Sequence, residues 1–148
     1  MLLGSAKMAP MSDASVPTSA EYRLPCKVYY EDTDCQGVVY HANYLKYFER
    51  GRTELLAAQG LSVAKLGEEQ NTLFVVYRID VTFKAPAKLG DELEIVSRAR
   101  LTSPYRVSFD QRVECPKRLG TRPLVVAEVE LVCVDWQQGL KPIPSLGF

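Results

Sequence analysis

Histidine is nearly absent: His41 is the only one in the chain. Cysteine is sparse and scattered, with Cys26, Cys35, Cys115 and Cys133 forming no C-x-x-C pair. A Cys/His zinc centre would have to be gathered from distant residues, so no structural metal is expected. Disulfides are not expected either, because Cys26, Cys115 and Cys133 fall in strand-like runs and Met1–Lys7 lacks the apolar stretch of a signal peptide. No run approaches the ~18 apolar residues of a membrane helix, which argues against membrane insertion. Net charge is missing too, since 18 Lys plus Arg balance 18 Asp plus Glu. That balance argues against a general nucleic-acid binder, though it leaves room for a local basic patch facing a phosphorylated ligand. These absences describe a soluble, cytoplasmic protein.

What is present suits one domain. The chain has 148 residues, 47% apolar and 24% charged. A domain of that size buries roughly 68–70% of its unfolded surface, enough for a real core. Residues 1–20, rich in Ala, Ser, Pro and Met, read as a flexible leader. Residues 21–148 read as the single domain.

From Tyr22 a two-residue period sets Leu24, Cys26, Val28 and Tyr30 against Arg23, Pro25, Lys27 and Tyr29. Pro25 lacks a donor and places this strand at an edge or an end. Residues 31–42 form a polar loop. Tyr44, Leu45, Tyr47, Phe48, Leu55 and Leu56 then recur at helical steps, predicting a helix over 43–58 with Asn43 as N-cap and Gly60 as stop. Gly51 costs about 1 kcal/mol inside a helix and implies close approach to a sheet. Arg50 and Glu54 can pair across one turn. Residues 61–70 are ambiguous, with a short second helix as one reading.

Four further strands are expected over 73–84, 92–101, 105–115 and 124–136, with Leu89-Gly90-Asp91 and Thr102-Ser103-Pro104 as turns and Lys117–Pro123 as a loop. A 16-residue helix is about 24 Å long, and five strands at about 4.8 Å spacing are about as wide. One helix therefore covers one face. Val96, Val126, Val132, Val134 and Trp136 fall on the other, which points to an oligomer covering it.

Tyr29 to Tyr44 concentrates the chemistry: Glu31, Asp32, Asp34, Gly37 and the sole histidine lie in a loop entering a helix. A helix N-terminus offers free N–H groups and a positive dipole. A carboxylate facing the same point supplies a nucleophile or base beside an oxyanion site, the parts acyl transfer needs. Acidic residues beside a loop glycine also serve as turn formers or caps. The same layout could hold a cation, although Asp32 and Asp34 alone make a poor site.

Asp32-Thr33-Asp34-x-x-Gly37-Val38-Val39-Tyr40-His41-x-Asn43-Tyr44, followed by Phe48-Glu49-Arg50-x-Arg52-Thr53-Glu54, resembles the 4-hydroxybenzoyl-CoA thioesterase-like hot-dog family, in its YbgC branch. Phe83–Asp91 is similar to that family's turn between its second and third strands. The likeness spans roughly residues 22–136. It implies an α+β hot-dog fold, a five-stranded antiparallel sheet wrapped around one long central helix. It also implies a homodimer, pairing further into a tetramer, with active sites at the protomer boundary. The implied activity is hydrolysis of an acyl-CoA thioester, with acyl carrier protein as an alternative carrier and no cofactor or metal.

On that resemblance Asp34 is the catalytic carboxylate, as nucleophile or general base, and His41 contributes its side chain and its backbone N–H. Gly37, Val38, Tyr40 and Asn43 are the expected substrate-binding positions. Gly37 permits a special backbone conformation or approach, and Tyr40 either packs in the core or lines the acyl pocket. Asp32 and Glu31 read as structural or solvated, and Glu49 as an ion-pairing residue. Lys84, Lys88, Arg100, Arg106, Lys117, Arg118 and Arg122 are available for coenzyme A phosphates. The Thr102-Ser103-Pro104 turn departs from the more basic hairpin of the 4-hydroxybenzoyl-specific enzymes. A hot-dog hydratase or dehydratase and a non-catalytic acyl-CoA binder are the competing readings.

Overall fold

The computed structural model describes residues 16–148. Helix α1 spans Asn43–Ala58, the expected bounds, and ends through Gln59 into Gly60, whose φ of +81° is the left-handed stop. The residue before it corrects one expectation. Ala42 is the N-cap and caps with no side chain, because the Asn43 amide is drawn back to Asp32. Helix α2, Val63–Gln70, settles the ambiguous stretch. Ser62 caps its start, and Asn71 takes the left-handed conformation at its end.

The strands are β1 (Tyr22–Lys27), β2 (Leu73–Phe83), β3 (Glu92–Ser103), β4 (Arg106–Cys115) and β5 (Gly120–Val134). All neighbours pair antiparallel in the order β1-β3-β4-β5-β2. Pro25 sits in the edge strand β1, where its missing donor is harmless. The expected 117–123 loop is instead a short helix, α3 (Pro116–Leu119), after which β5 begins early at Gly120. Pro116 suits a helix's first turn, and Gly120, at φ +59°, turns the chain straight into the strand.

Helix α1 lies on the inner face of β1, β3 and β4. Val107, Phe109 and Val113 of β4 are fully buried beneath it, with Ile95 and Ala99 of β3. A polar tie crosses this core. Gln111 Nε2 donates to Ser97 Oγ at 2.7 Å and to the Phe48 carbonyl at 2.9 Å, while Arg52 Nη1 donates to Gln111 Oε1 at 3.0 Å. Gly51 sits directly above. A Cβ there would lie 2.8 Å from Ser97 Oγ, 2.9 Å from Ile95 Cγ2 and 3.1 Å from Gln111 Nε2. The glycine is the contact surface between helix and sheet, as its cost within a helix implies.

Apart from Tyr44 in its first turn, whose ring meets that of Phe83, the helix leaves β2 uncovered. Val76, Ile79 and Phe83 on the inner side of β2 are 46%, 37% and 51% exposed. This relocates the apolar surface expected on the outer face. There Val96 is fully buried and Val134 nearly so, and Trp136 docks on α2, donating Nε1–H to the Gly67 carbonyl at 3.1 Å. Val75, Tyr77 and Trp136 stay exposed on this side, and the middle of the outer face is ionic. Glu114 is buried between Arg112 Nε at 2.6 Å and Arg23 Nη1 at 2.9 Å. Burial pushes its carboxyl up, but the two guanidinium groups win and hold it below the usual carboxylate range. Arg100 pairs with Asp110, and Arg106 with Glu130. The expected Arg50–Glu54 pair does not form among the described residues; Glu49 Oε1 instead accepts from Thr53 Oγ1 at 2.8 Å.

Both ends of the chain extend the sheet's cover. Of the expected leader, residues 1–15 lie outside the described residues. Leu101 N–H donates to the Pro17 carbonyl, and Ser19 exchanges hydrogen bonds with Ala99 on β3. At the other end Leu146 is buried against the core, with Ile143 and Phe148 packed beside it.

Two contacts of α1 make testable statements. Gly51→Ala gains helix propensity of about 1 kcal/mol, but crowding of a packed core costs about 1–3 kcal/mol. A lower melting temperature is expected; an unchanged or higher one would contradict the close approach. The buried Tyr44 hydroxyl accepts the Ala87 N–H at 3.1 Å, tying α1 to residues 84–91. Tyr44→Phe strands that N–H, and denaturant unfolding should show a loss of about 1–3 kcal/mol. A loss near zero would mean the bond contributes nothing.

Candidate active site

The loop between β1 and α1 is pinned by Asp32, which is nine-tenths buried. Its Oδ2 accepts the Tyr29 N–H at 2.8 Å, its Oδ1 accepts the Asn43 Nδ2 at 3.1 Å, and its carbonyl accepts the Tyr40 N–H at 2.9 Å. One residue therefore joins the loop's beginning, its end and the first turn of the helix. Asp32 is structural, and Asn43 is its partner.

Between these anchors the chain makes a tight hairpin. Thr33 bridges Val39, Asp34 N–H donates to the Val38 carbonyl at 2.9 Å, and Gly37 N–H donates to the Asp34 carbonyl at 3.0 Å. Gly37 has a φ of +74°, while an added Cβ would meet nothing within 4 Å. Its value is conformational, not steric. Asp34 Oδ1 accepts the Gln36 N–H at 2.8 Å, the turn-forming bond of an aspartate at this position. Oδ2 has no hydrogen-bond partner among the described residues. Asp34 thus serves the turn with one oxygen and keeps the other available.

A second ladder fixes the hairpin to the β2–β3 connection. Val39 N–H donates to the Ala87 carbonyl, Leu89 N–H to the Gly37 carbonyl, and Val38 bridges Lys88. The result is a cleft of about 340 Å³ whose lining includes Asp34, Val38 and His41. Of the expected site residues, those three come together. Gly37 shapes the turn behind, Asn43 is engaged with Asp32, and Tyr40 is half exposed outside the cleft with its ring 4.6 Å from that of His41.

The opposite wall comprises Tyr44, Phe83, Lys84, Ala85 and Pro86. Sequence reasoning did not assign Tyr44, Phe83, Ala85 or Pro86 to the site, and it named Lys84 only as a cation available for coenzyme A phosphates. Tyr44 reads as an ordinary apolar position of the helix, and Phe83 as a strand residue, although 83–91 carries a family-like pattern. The Phe83 ring stands 6.3 Å from that of His41 at 89°, and 5.8 Å from that of Tyr44. Burial pushes the Tyr44 phenol up, so it stays neutral and supplies an apolar face with a hydrogen-bonded tip.

His41 and Ala42 stand at the mouth of α1. Neither backbone N–H has an acceptor among the described residues. A carboxylate, an imidazole, free N–H groups at a helix start and an apolar wall are what an acyl-transfer centre needs.

The family model described as thioesterase-like superfamily matches residues 28–145. The acyl-CoA thioesterase YbgC of Haemophilus influenzae is 38% identical over 122 residues, which are 82% of this chain and 86% of that protein. The acyl-CoA thioester hydrolase YbgC of Escherichia coli is 42% identical over 114 residues, 77% of this chain and 82% of that one. A probable thioesterase from Bartonella henselae, solved by crystallography, superposes with a TM-score of 0.78 at 33% identity, covering 84% of this chain and 100% of its own. A 1,4-dihydroxy-2-naphthoyl-CoA thioesterase from Synechocystis reaches the same TM-score at 23% identity, a likeness of fold. By the span of its family match and by these relatives, this chain belongs to the thioesterase-like superfamily with the hot-dog fold, in the YbgC branch.

Proposed function

We propose that this thioester hydrolase cleaves acyl-CoA, with Asp34 as its catalytic carboxylate and His41 as its partner. The observation that carries the reading is the shared cleft: Asp34 and His41 line it together, beside the open start of α1. Asp34 attacks the thioester carbonyl carbon, or takes a proton from a water that does. The carbonyl oxygen becomes negative as the tetrahedral species forms. The backbone N–H groups at His41 and Ala42 and the helix dipole stabilise it. Collapse breaks the C–S bond, and the leaving sulfur receives a proton from the His41 imidazole. By the anhydride route water then releases the acid; by the base route the acid forms directly. Val38, Tyr44 and Phe83 offer the acyl group an apolar wall.

The working unit in this reading is a homodimer. β2 is an edge strand of 11 residues with an unpaired side, and its exposed Val76, Ile79 and Phe83 are adjacent to that edge. Natural proteins seldom leave such an edge open. A second copy pairing along β2 would cover it. Phe83 belongs both to this stripe and to the cleft, so the same contact would close the site. Pairing of dimers into a tetramer falls to the ionic outer face. Among the described residues no helix is long and apolar enough to cross a membrane, and all four cysteines are free thiols. Free thiols suit the cytoplasm, where we place the activity.

Thiol release from a panel of acyl-CoA and acyl-carrier-protein thioesters tests the reaction. Asp34→Asn should abolish turnover, and His41→Ala should lower it about 10²–10⁴-fold, with folding intact. Undiminished release by Asp34→Asn would overturn the assignment. Release of no thiol by the unaltered chain would favour a binding protein or a hydratase. Ile79→Lys, placing a charge on the β2 stripe, should convert the dimer to monomer in sedimentation and reduce activity with it. A dimer that survives the substitution would contradict pairing through β2.

A further inference from the structure

The chain's cations are mostly neutralised where they cluster. On the outer face Arg23, Arg100, Arg106 and Arg112 each pair with a carboxylate, and near α3 Lys117 pairs with Glu92. A groove of about 400 Å³ beside the catalytic cleft breaks this pattern. It is lined by Lys84, Ala85, Arg118, Leu119, Arg122 and Pro123, with three cations and no acid. Arg118 is spoken for: its Nη2 donates to the Pro86 carbonyl and to the Asp91 carboxylate, each at 2.8 Å. Lys84 and Arg122 have no charged or hydrogen-bonding side-chain partner among the described residues.

The groove is held in shape by its backbone. Lys84 N–H and Ala85 N–H both donate to the Leu124 carbonyl, at 2.8 and 3.0 Å, and Arg118 clips α3 to the 84–91 connection. It also continues into the catalytic cleft, because Lys84 and Ala85 line both. Two unpaired cations beside a site in a chain of zero net charge call for an anionic ligand that extends from it.

Resting on the acyl-CoA reading of the neighbouring cleft, we propose that this groove binds the phosphate groups of the coenzyme A nucleotide. Arg122 and Lys84 are its charged contacts, and Arg118 is the strut that fixes its wall. The pantetheine arm then runs over Ala85 from the groove to Asp34. No part of this assignment depends on the Thr102-Ser103-Pro104 turn.

The test is calorimetric titration of the full chain with coenzyme A, phosphopantetheine and pantetheine. Coenzyme A should bind most tightly. Arg122→Gln should weaken it about tenfold, the effect of losing one charge-assisted contact. Adding Lys84→Gln should weaken it further, and pantetheine binding should not change with Arg122→Gln. Added salt should erode the difference between coenzyme A and pantetheine. Coenzyme A binding unchanged in Arg122→Gln, or absent from the unaltered chain, would overturn the proposal. So would an equal loss for pantetheine. Phosphopantetheine binding as tightly as coenzyme A, with the same Arg122 dependence, would overturn the nucleotide assignment in favour of a carrier protein's arm. The hydrolase reading fails separately: Arg122-dependent coenzyme A binding without thiol release would sink hydrolysis and support the groove.

Discussion

The site depends on the hydrogen bonds made by Asp32. Its carboxylate holds the Tyr29 N–H on one side and the Asn43 amide on the other, and its carbonyl holds the Tyr40 N–H. These bonds gather the two ends of a ten-residue excursion at the first turn of α1. Asp34 and His41, seven positions apart in sequence, thereby reach one cleft. A buried carboxylate with both oxygens engaged is held in place; one with an oxygen free, like Asp34, can act. By their hydrogen bonding, not by their chemistry, the two aspartates of a single Asp-Thr-Asp run thus divide into a fastener and the carboxylate we propose as reactive.

The sheet imposes the second constraint. One helix covers β1, β3 and β4, seated closely because Gly51 leaves no side chain between it and the Ser97–Gln111 pair. The same seating leaves the inner side of β2 bare. Phe83, at the end of that strand, then belongs to both the apolar stripe and the candidate cleft. Stability and function meet there, since covering the stripe and enclosing the site would be one event.

Much of this was legible in the sequence, for identifiable reasons. The bounds of α1, the edge position of β1 and the close approach at Gly51 follow from local signals: an apolar period, a proline in a strand and a glycine where alanine would serve better. The Asp34–His41 grouping is likewise local, carried within one loop. What escaped was long-range. Tyr44, Phe83 and Pro86 enter the cleft only because the 84–91 connection is zipped onto the loop, a pairing that no spacing reveals. Asn43 looked like a cap because asparagine usually is one, and Asp32 redirected it. Val96 and Val134 looked exposed by alternation alone, yet tertiary packing buries both.

The most direct measurement is a crystal structure of the protein with a non-hydrolysable acyl-CoA analogue. The account predicts the analogue's carbonyl carbon against the Asp34 carboxylate, its oxygen within hydrogen-bond reach of the N–H groups at His41 and Ala42, and its acyl group along Phe83. An analogue seated on the ionic outer face, or one whose carbonyl lies beyond reach of Asp34, would contradict it.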